Sequence, residues 1–179
     1  MCSSDLVWRP CDMVETAAAW AAAVERTDGP SCLVLTRQDL PHVARTQDQI
    51  DMIRRGGYVL ANGDREPDIT LVATGSEVQL VLGAAETLGR DGIAARVVSM
   101  PCTLAFDAQD QAYRDHVLPP GGARLIVEAG ATGGWWRYAG PRGGVHGIDE
   151  FGHSAPAKVL FEHFGFTVDA VANAARALL

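Results

Sequence analysis

Arg37 is the residue whose type and position most clearly suggest binding chemistry. It follows the run 31–36, SCLVLT, which is apolar enough to form a short strand buried on both faces. Ligands of open α/β sheets bind at the carboxyl ends of the strands. A guanidinium there can hold a phosphate or a carboxylate through two parallel hydrogen bonds. A surface ion pair of Arg37 with Asp39 or Asp48 explains the same residue equally well, and the sequence leaves both interpretations open.

Two further segments could carry chemistry, at Gly75-Ser76-Glu77 and at Glu128. The first lies between a strand pattern and a helix pattern and could hold an anion at the helix N-terminus. It matches neither glycine-rich nucleotide motif, so a tight turn with Ser76 as the N-cap is favoured. Glu128 ends an apolar run and could be a general base. No partner acid or base is visible nearby, which favours an N-cap of the next helix.

The histidines and cysteines form no recognisable site. None of the five histidines has metal-ligand spacing, and cysteines 2, 11, 32 and 102 show no CxxC pair. We therefore expect no metal site and no disulfide framework. His153 has a neighbouring serine but no Gly-x-Ser-x-Gly elbow, so it is predicted to be an exposed loop residue. Trp135, Trp136 and Tyr138 are expected in a core or an interface.

The composition predicts one or two globular domains and restricts the partners. The chain has 179 residues, of which 47% are hydrophobic. A net charge of −7 argues against nucleic acid or an anionic membrane as the main partner. The longest apolar stretch, residues 17–24, is too short to span a bilayer, and the N-terminus lacks a secretory pattern. A cytoplasmic protein with reduced thiols is the expectation.

A βαβ unit at residues 68–100 organises the predicted fold. An apolar run, a segment with helical spacing and a second apolar run follow one another there. Such a crossover requires a parallel sheet covered by helices on its faces. Two further strands are predicted at 123–128 and 145–148, and four helices at 108–118, 131–138, 155–164 and 167–179, with a loop at 101–107.

The part of the chain before residue 67 is predicted to belong to a different unit. Residues 1–6 have no periodicity and are predicted to be an added or unstructured start. Asp12 and Glu15 then form a capping box for a helix that runs to about residue 26, before the strand at 31–36.

Residues 41–66 are predicted to be a linker that contains two short elements. Thr46 and Gln49 form a second capping box, which opens a helix to about residue 55. A brief strand at 58–60 and a polar turn region follow, so the domain boundary is placed in this linker.

The segments of this chain resemble those of bacterial transketolases. WRPCDMVETA at residues 8–17 resembles the start of a transketolase helix, and LTRQDL at 35–40 resembles the strand-end arginine-glutamine segment. Seven more resembling segments follow in the same order, at 56–60, 73–78, 96–101, 106–110, 127–130, 151–157 and 164–167. The resemblance covers about residues 7–179 and leaves out residues 1–6.

The resemblance implies the C-terminal part of such an enzyme, with an α/β fold. Residues 7–40 would be the tail of the pyrimidine-binding domain, a helix-strand remnant, and 41–66 the linker. Residues 67–179 would be the complete C-terminal domain, a mostly parallel sheet flanked by helices. Of the family's functional residues, only the arginine that binds the substrate phosphate is carried over, onto Arg37. Thr36 and Asp39 depart from the commoner Ser-Arg-Gln-Asn form without affecting that arginine.

The whole enzyme that the chain resembles is a cytoplasmic homodimer of the pentose phosphate pathway. It transfers a two-carbon ketol unit between sugar phosphates and uses thiamine diphosphate with Mg²⁺ or Ca²⁺. The family's diphosphate, metal and pyrimidine motifs precede the resembling part. The resemblance therefore implies that this stretch alone binds neither cofactor nor metal, contains no catalytic residue and is inactive.

Two alternatives remain. A related thiamine enzyme, such as deoxyxylulose phosphate synthase or the β subunit of a 2-oxoacid dehydrogenase, would share the C-terminal domain. The segments 9–12 and 37–38 fit transketolase better. The other alternative is a free-standing scaffold or nucleotide-binding module that uses the turn at Gly75.

Overall fold

The structure, a computed structural model, describes residues 5–179. Its strands are β1 (Leu6–Trp8), β2 (Ser31–Leu33), β3 (Tyr58–Ala61), β4 (Ile69–Ala73), β5 (Ala95–Ser99), β6 (Ala123–Val127) and β7 (Gly143–His146). Its helices are α1 (Met13–Glu25), α2 (Gln47–Met52), α3 (Val78–Arg90), α4 (Thr103–Asp107), α5 (Gln111–Val117), α6 (Trp136–Ala139), α7 (Ala157–His163) and α8 (Val168–Arg176). Short 3₁₀ turns lie at Ile53–Arg55, Gly75–Glu77 and Thr132–Gly134.

Strands β3 to β7 form the larger sheet, in the order β3-β5-β4-β6-β7. The last four strands of that order are parallel, whereas β3 pairs with β5 in the antiparallel direction at one edge. The mostly parallel sheet flanked by helices is therefore confirmed. The predicted βαβ unit is confirmed as β4-α3-β5, in which a helix links two neighbouring parallel strands.

Successive strand residues face opposite sides of the larger sheet and pack against different helices. On one side, Leu71, Val97 and Leu125 belong to a core cluster completed by residues of α3 and α8. On the other side, the next residue of each strand belongs to a second cluster with Phe106 and Tyr138. Helices thus cover both faces, as a parallel sheet requires.

Two sequence predictions in this domain need correction. Residues 101–107, predicted to be a loop, contain the helix α4, because Phe106 is buried against the larger sheet. The predicted helix at 108–118 begins later, at α5, since the Asp110 carboxylate accepts a hydrogen bond from the backbone of Tyr113 at 2.8 Å and so caps the helix there.

The N-terminal unit consists of β1, α1 and β2, with the two strands paired in parallel. Asp12 caps α1 by accepting hydrogen bonds from the backbone N–H groups of Val14 and Glu15, both at 3.1 Å. The Glu15 carboxylate reaches back one residue further than predicted and accepts from the Cys11 N–H at 2.7 Å. The Asp12 cap is therefore confirmed, whereas the reciprocal bond of a capping box, from Asp12 N to Glu15, is replaced by the bond from Cys11 N.

The prediction that strand 31–36 is buried on both faces is wrong. Only Ser31–Leu33 is strand, Cys32 is exposed, and Val34 and Leu35 are 45% and 51% exposed. Within residues 5–179, β1 is the only strand paired with β2, and α1 packs on the side of Leu33, while Cys32 remains exposed. Leu6, predicted to belong to an unstructured start, is the first residue of β1, while residues 1–4 lie outside the described part.

The predicted linker contributes an element to the larger sheet. Its capping box is confirmed, with Thr46 Oγ1 accepting from Gln49 N at 3.3 Å and Gln49 Oε1 accepting from Thr46 N at 3.0 Å. β3 follows as the edge strand, with Tyr58 opposite Ser99 of β5. The division into 7–40, 41–66 and 67–179 remains a prediction. In the described part of the chain, no helix is long and apolar enough to cross a membrane.

Candidate functional site

Arg37 is an exposed residue in a bend that follows β2. The Thr36 hydroxyl donates a hydrogen bond to the Gln38 carbonyl at 3.2 Å, which holds the backbone on both sides of Arg37 in this bend. Among residues 5–179, the guanidinium has no hydrogen bond or ion pair, so the alternative pairing with Asp39 or Asp48 is not formed. The side chain is available to an anion from outside this part of the chain.

Gln38, the next residue, lines an apolar cavity of about 260 Å³ together with residues that follow β6 and residues of α7. His153 lines the same cavity. Its ring stacks on Phe164 with the centroids 5.6 Å apart and makes an edge contact with His163. His153 is exposed, as predicted for a loop residue.

A cluster of Glu77, Arg9 and Glu128, in which the two glutamates are buried and the Arg9 side chain is 27% exposed, was not predicted from the sequence. Arg9 Nη1 donates to Glu128 Oε1, and Arg9 Nη2 lies 3.5 Å from Glu77 Oε2. Glu77 is only 1% exposed and Glu128 only 4% exposed. Arg9 is separated from Glu77 by 68 residues and from Glu128 by 119, so no local spacing pattern relates the three residues.

This cluster corrects two sequence predictions. Glu128 is not an N-cap: the N-cap of the turn Thr132–Gly134 is Ala131, and the Thr132 N–H donates to Asp149 Oδ1 at 2.8 Å. Ser76 does not cap α3 either, since its hydroxyl bonds to Glu77 at 3.3 Å. A Cβ at Gly75 would lie 3.4 Å from both Arg9 Nη2 and Glu77 Oε2, and the guanidinium already contacts two carboxyl groups. These carboxyl groups argue against an additional anion at this turn.

Burial raises the pKa of both carboxyl groups in this cluster. The pKa of Glu77 is raised to about 7, because desolvation and the charge of Glu128 outweigh the attraction of Arg9. Burial also raises the pKa of Glu128, against the opposing effect of Arg9. One guanidinium is therefore shared by two carboxyl groups, and burial disfavours the ionised form of both.

Because the pKa of the Glu77 carboxyl group is raised, we expect the free energy of unfolding to fall as the pH rises. Its pKa is about 7 when folded and near 4.5 ordinarily, so its contribution is fully present below pH 4.5 and is lost as the pH rises through 7. The loss is on the order of 3 kcal/mol. We expect Glu77→Gln, which mimics the protonated group, to flatten this pH dependence in urea unfolding measured from acidic to mildly alkaline pH.

Glu86→Gln provides the matched control, because Glu86 is an exposed glutamate on α3. Its unfolding free energy should keep the pH slope of the unchanged protein. A Glu77→Gln protein with that same slope would contradict the assignment.

A second buried network connects the N-terminal unit to the larger sheet. Glu15, which is 0% exposed, accepts hydrogen bonds from Tyr58 Oη at 2.8 Å and Ser99 Oγ at 2.6 Å. Arg45 donates to Asp12 Oδ2 at 2.6 Å and to Tyr58 Oη at 2.7 Å. Burial, followed by the charge of Glu15, raises the pKa of Tyr58, so its hydroxyl remains a donor. This network is closed to solvent and serves cohesion, not ligand binding.

The described residues offer no metal centre of their own. Within residues 5–179, no group of three or more His, Cys, Asp or Glu side chains is arranged to hold an ion. The buried acidic pair Glu77 and Glu128 already contacts a guanidinium. Arg37 is the site residue carried over from the sequence, and among residues 5–179 it forms no hydrogen bond or ion pair with either network.

Comparisons with known proteins agree with this architecture. The sequence-family model of the transketolase-like C-terminal domain matches residues 56–167 of this chain. Transketolase 1 of Escherichia coli is 53% identical over 173 residues, which are 96% of this chain and 26% of that protein. The chromosomal transketolase of Cupriavidus necator is 57% identical over 173 residues, covering 97% of this chain and 26% of that protein.

A solved structure shows the same relation in three dimensions. The structure of a transketolase from Pichia stipitis superposes with a TM-score of 0.89 at 42% sequence identity, covering 97% of this chain and 25% of that one. The chain therefore spans about a quarter of the length of the relatives it matches. Those relatives are transferases, and the related thiamine enzymes are not favoured. The chain belongs to the transketolase family and corresponds to the C-terminal part of its members.

Proposed function

We propose that this chain works as the C-terminal part of a transketolase in which Arg37 binds the phosphate of the substrate. The whole enzyme transfers a two-carbon ketol unit between sugar phosphates in the pentose phosphate pathway, as a cytoplasmic homodimer. The observation that carries the role of Arg37 is its exposed guanidinium, which has no partner within residues 5–179. A guanidinium fits the oxygens of a phosphate through two parallel hydrogen bonds.

The relatives support the substrate class. Transketolases of Pichia stipitis have been solved in complex with sedoheptulose 7-phosphate and with fructose 6-phosphate, and both are 42% identical to this chain. Both ligands carry a phosphate at the end of the sugar remote from the carbonyl group. An arginine that holds this phosphate positions the sugar without contacting the reacting atoms.

Thiamine diphosphate and a divalent cation belong to the proposal for the whole enzyme only. Residues 5–179 do not fit this group, because no cluster of side chains is arranged to hold its metal and the buried acidic pair binds Arg9. In the proposal, the cofactor is bound by the rest of the longer protein. No step of the reaction is assigned to a residue of this chain.

Arg37→Ala, made in a full-length transketolase that carries this segment, tests the proposal. Holding a remote phosphate stabilises the ground state and the transition state almost equally. We therefore expect KM for sugar phosphates to rise much more than kcat falls. The loss of a charge-assisted contact should cost roughly 2–3 kcal/mol, about a hundredfold in kcat/KM. Hydroxypyruvate, a donor without a phosphate, should be used almost unchanged.

Two variants make the measurement specific. Arg37→Lys should restore only part of the loss, because an ammonium retains the charge but not the planar fork. Arg90→Ala removes another exposed arginine, at the end of α3. It should leave kcat/KM unchanged for both the sugar phosphate and hydroxypyruvate. Equal losses with the sugar phosphate and with hydroxypyruvate for Arg37→Ala would reject the phosphate role.

A further inference from the structure

The carboxyl edge of the larger sheet contains a topological switch point. From the central strand β4 the chain continues to β5 on one side, and β6 then lies on the other side of β4. In open α/β sheets, ligands bind in the crevice outside the strand ends at such a point. Glu77 lies in the turn after β4 and Glu128 directly follows β6, so both carboxyl groups face this crevice.

Arg9 occupies the crevice in this structure. Its backbone N–H donates to the carbonyl of Pro101, just after β5, at 2.7 Å. Its carbonyl accepts from Gly75 N at 3.0 Å and from Thr74 Oγ1 at 3.2 Å, just after β4. The residue is thereby bound to the ends of two adjacent strands through its backbone, and its guanidinium extends between the two glutamates.

The acidic pair is built to receive this cation. Glu128 is only 4% exposed, and its Oε2 atom has no hydrogen-bond partner within the described residues. A methyl group added at Gly75 would lie 3.4 Å from Arg9 Nη2, so the turn packs closely against the guanidinium. The preceding residue, Trp8, is 1% exposed and holds the segment in place against Cys102 and its neighbours.

We propose that Glu77 and Glu128 form a receptor for a guanidinium cation at the switch point of the larger sheet, and that Arg9 is its resident ligand. Binding of this side chain docks the N-terminal unit onto the ends of β4 and β6. The planar fork of a guanidinium lets its two terminal nitrogens reach the two carboxyl groups separately, as Arg9 Nη1 reaches Glu128 and Nη2 reaches Glu77. The receptor is independent of Arg37 and of the proposed activity.

Rescue of Arg9→Ala in the full 179-residue chain tests the receptor. The variant should be less stable in urea than the unchanged protein, and millimolar guanidinium chloride should restore part of the loss. At ten times its Kd, a ligand of the folded state alone raises the folded-to-unfolded ratio about elevenfold. The unchanged protein, whose receptor is filled, should gain nothing from the same addition.

Three controls separate this binding from general salt effects. Sodium chloride and magnesium chloride at equal ionic strength should not rescue Arg9→Ala, and guanidinium should not rescue the double variant Arg9→Ala/Glu128→Gln. If Arg9→Ala is unfolded in buffer, recovery of its circular dichroism on adding guanidinium becomes the readout. Absence of rescue in either assay, or equal rescue by sodium or magnesium, would overturn the proposal.

Discussion

Glu15→Ala is expected to lower the free energy of unfolding by about 3–5 kcal/mol, because breaking a buried charged network leaves its partners unpaired. The carboxylate is fully buried and accepts hydrogen bonds from Cys11 N, Tyr58 Oη and Ser99 Oγ. Alanine removes the acceptor for all three donors and leaves a space that the surrounding helix and strands must close. Chemical denaturation of the two proteins at the same pH measures the difference.

Glu25→Ala is the matched control on the same helix. Glu25 lies at the end of α1, its side chain is 64% exposed, and it pairs with Arg54 at 2.6 Å. An exposed ion pair contributes little to stability, so this variant should unfold nearly as the unchanged protein does. Similar losses for Glu15→Ala and Glu25→Ala would show that the buried network does not hold the N-terminal unit in place.

Gly56→Ala is expected to destabilise the protein by a comparable amount. Gly56 has a φ of +83° after the turn Ile53–Arg55, and an added Cβ would lie 2.2 Å from the Cys102 carbonyl oxygen and 2.5 Å from Phe106 N. Both obstacles are backbone atoms, which cannot move aside as a flexible side chain does. Roughly 1–2 kcal/mol for the left-handed conformation and about 1–3 kcal/mol for the clash add to about 2–5 kcal/mol.

Gly63→Ala tests whether the expected loss comes from this environment or from the change of residue type. Gly63 is exposed, and an added Cβ would meet no heavy atom within 4 Å. Its substitution should change the unfolding free energy by no more than about 0.5 kcal/mol. Thermal unfolding of both variants gives the comparison, and a Gly56→Ala protein as stable as Gly63→Ala would disprove the close approach to α4.

The elements that the sequence predicted well are those whose signal is local. The periodic pattern at 68–100 predicted the β4-α3-β5 unit, and the spacing of Thr46 and Gln49 predicted the cap of α2. In both cases the residues that stabilise the element lie within one element or its immediate neighbours. Hydrophobic periodicity and capping chemistry therefore carry enough information before any tertiary contact forms.

The errors concern properties that depend on distant neighbours. The run SCLVLT has the composition of a strand buried on both faces, yet within residues 5–179 α1 covers β2 only on the side of Leu33. Glu128 follows a strand as an N-cap residue would, but its carboxylate meets Arg9 from the other end of the chain. A local pattern cannot contain either fact.

The sequence by itself determined the parallel α/β class, the Asp12 cap of α1, the capping box of α2 and Arg37 as the residue to test. Only the tertiary structure decided that the N-terminal unit contacts the larger sheet through Arg9 and Glu15, and that β3 joins the larger sheet from within the predicted linker. Periodicity and caps arise from neighbours along the chain. A partly buried ion pair across 119 residues exists only after folding has placed the strand ends side by side.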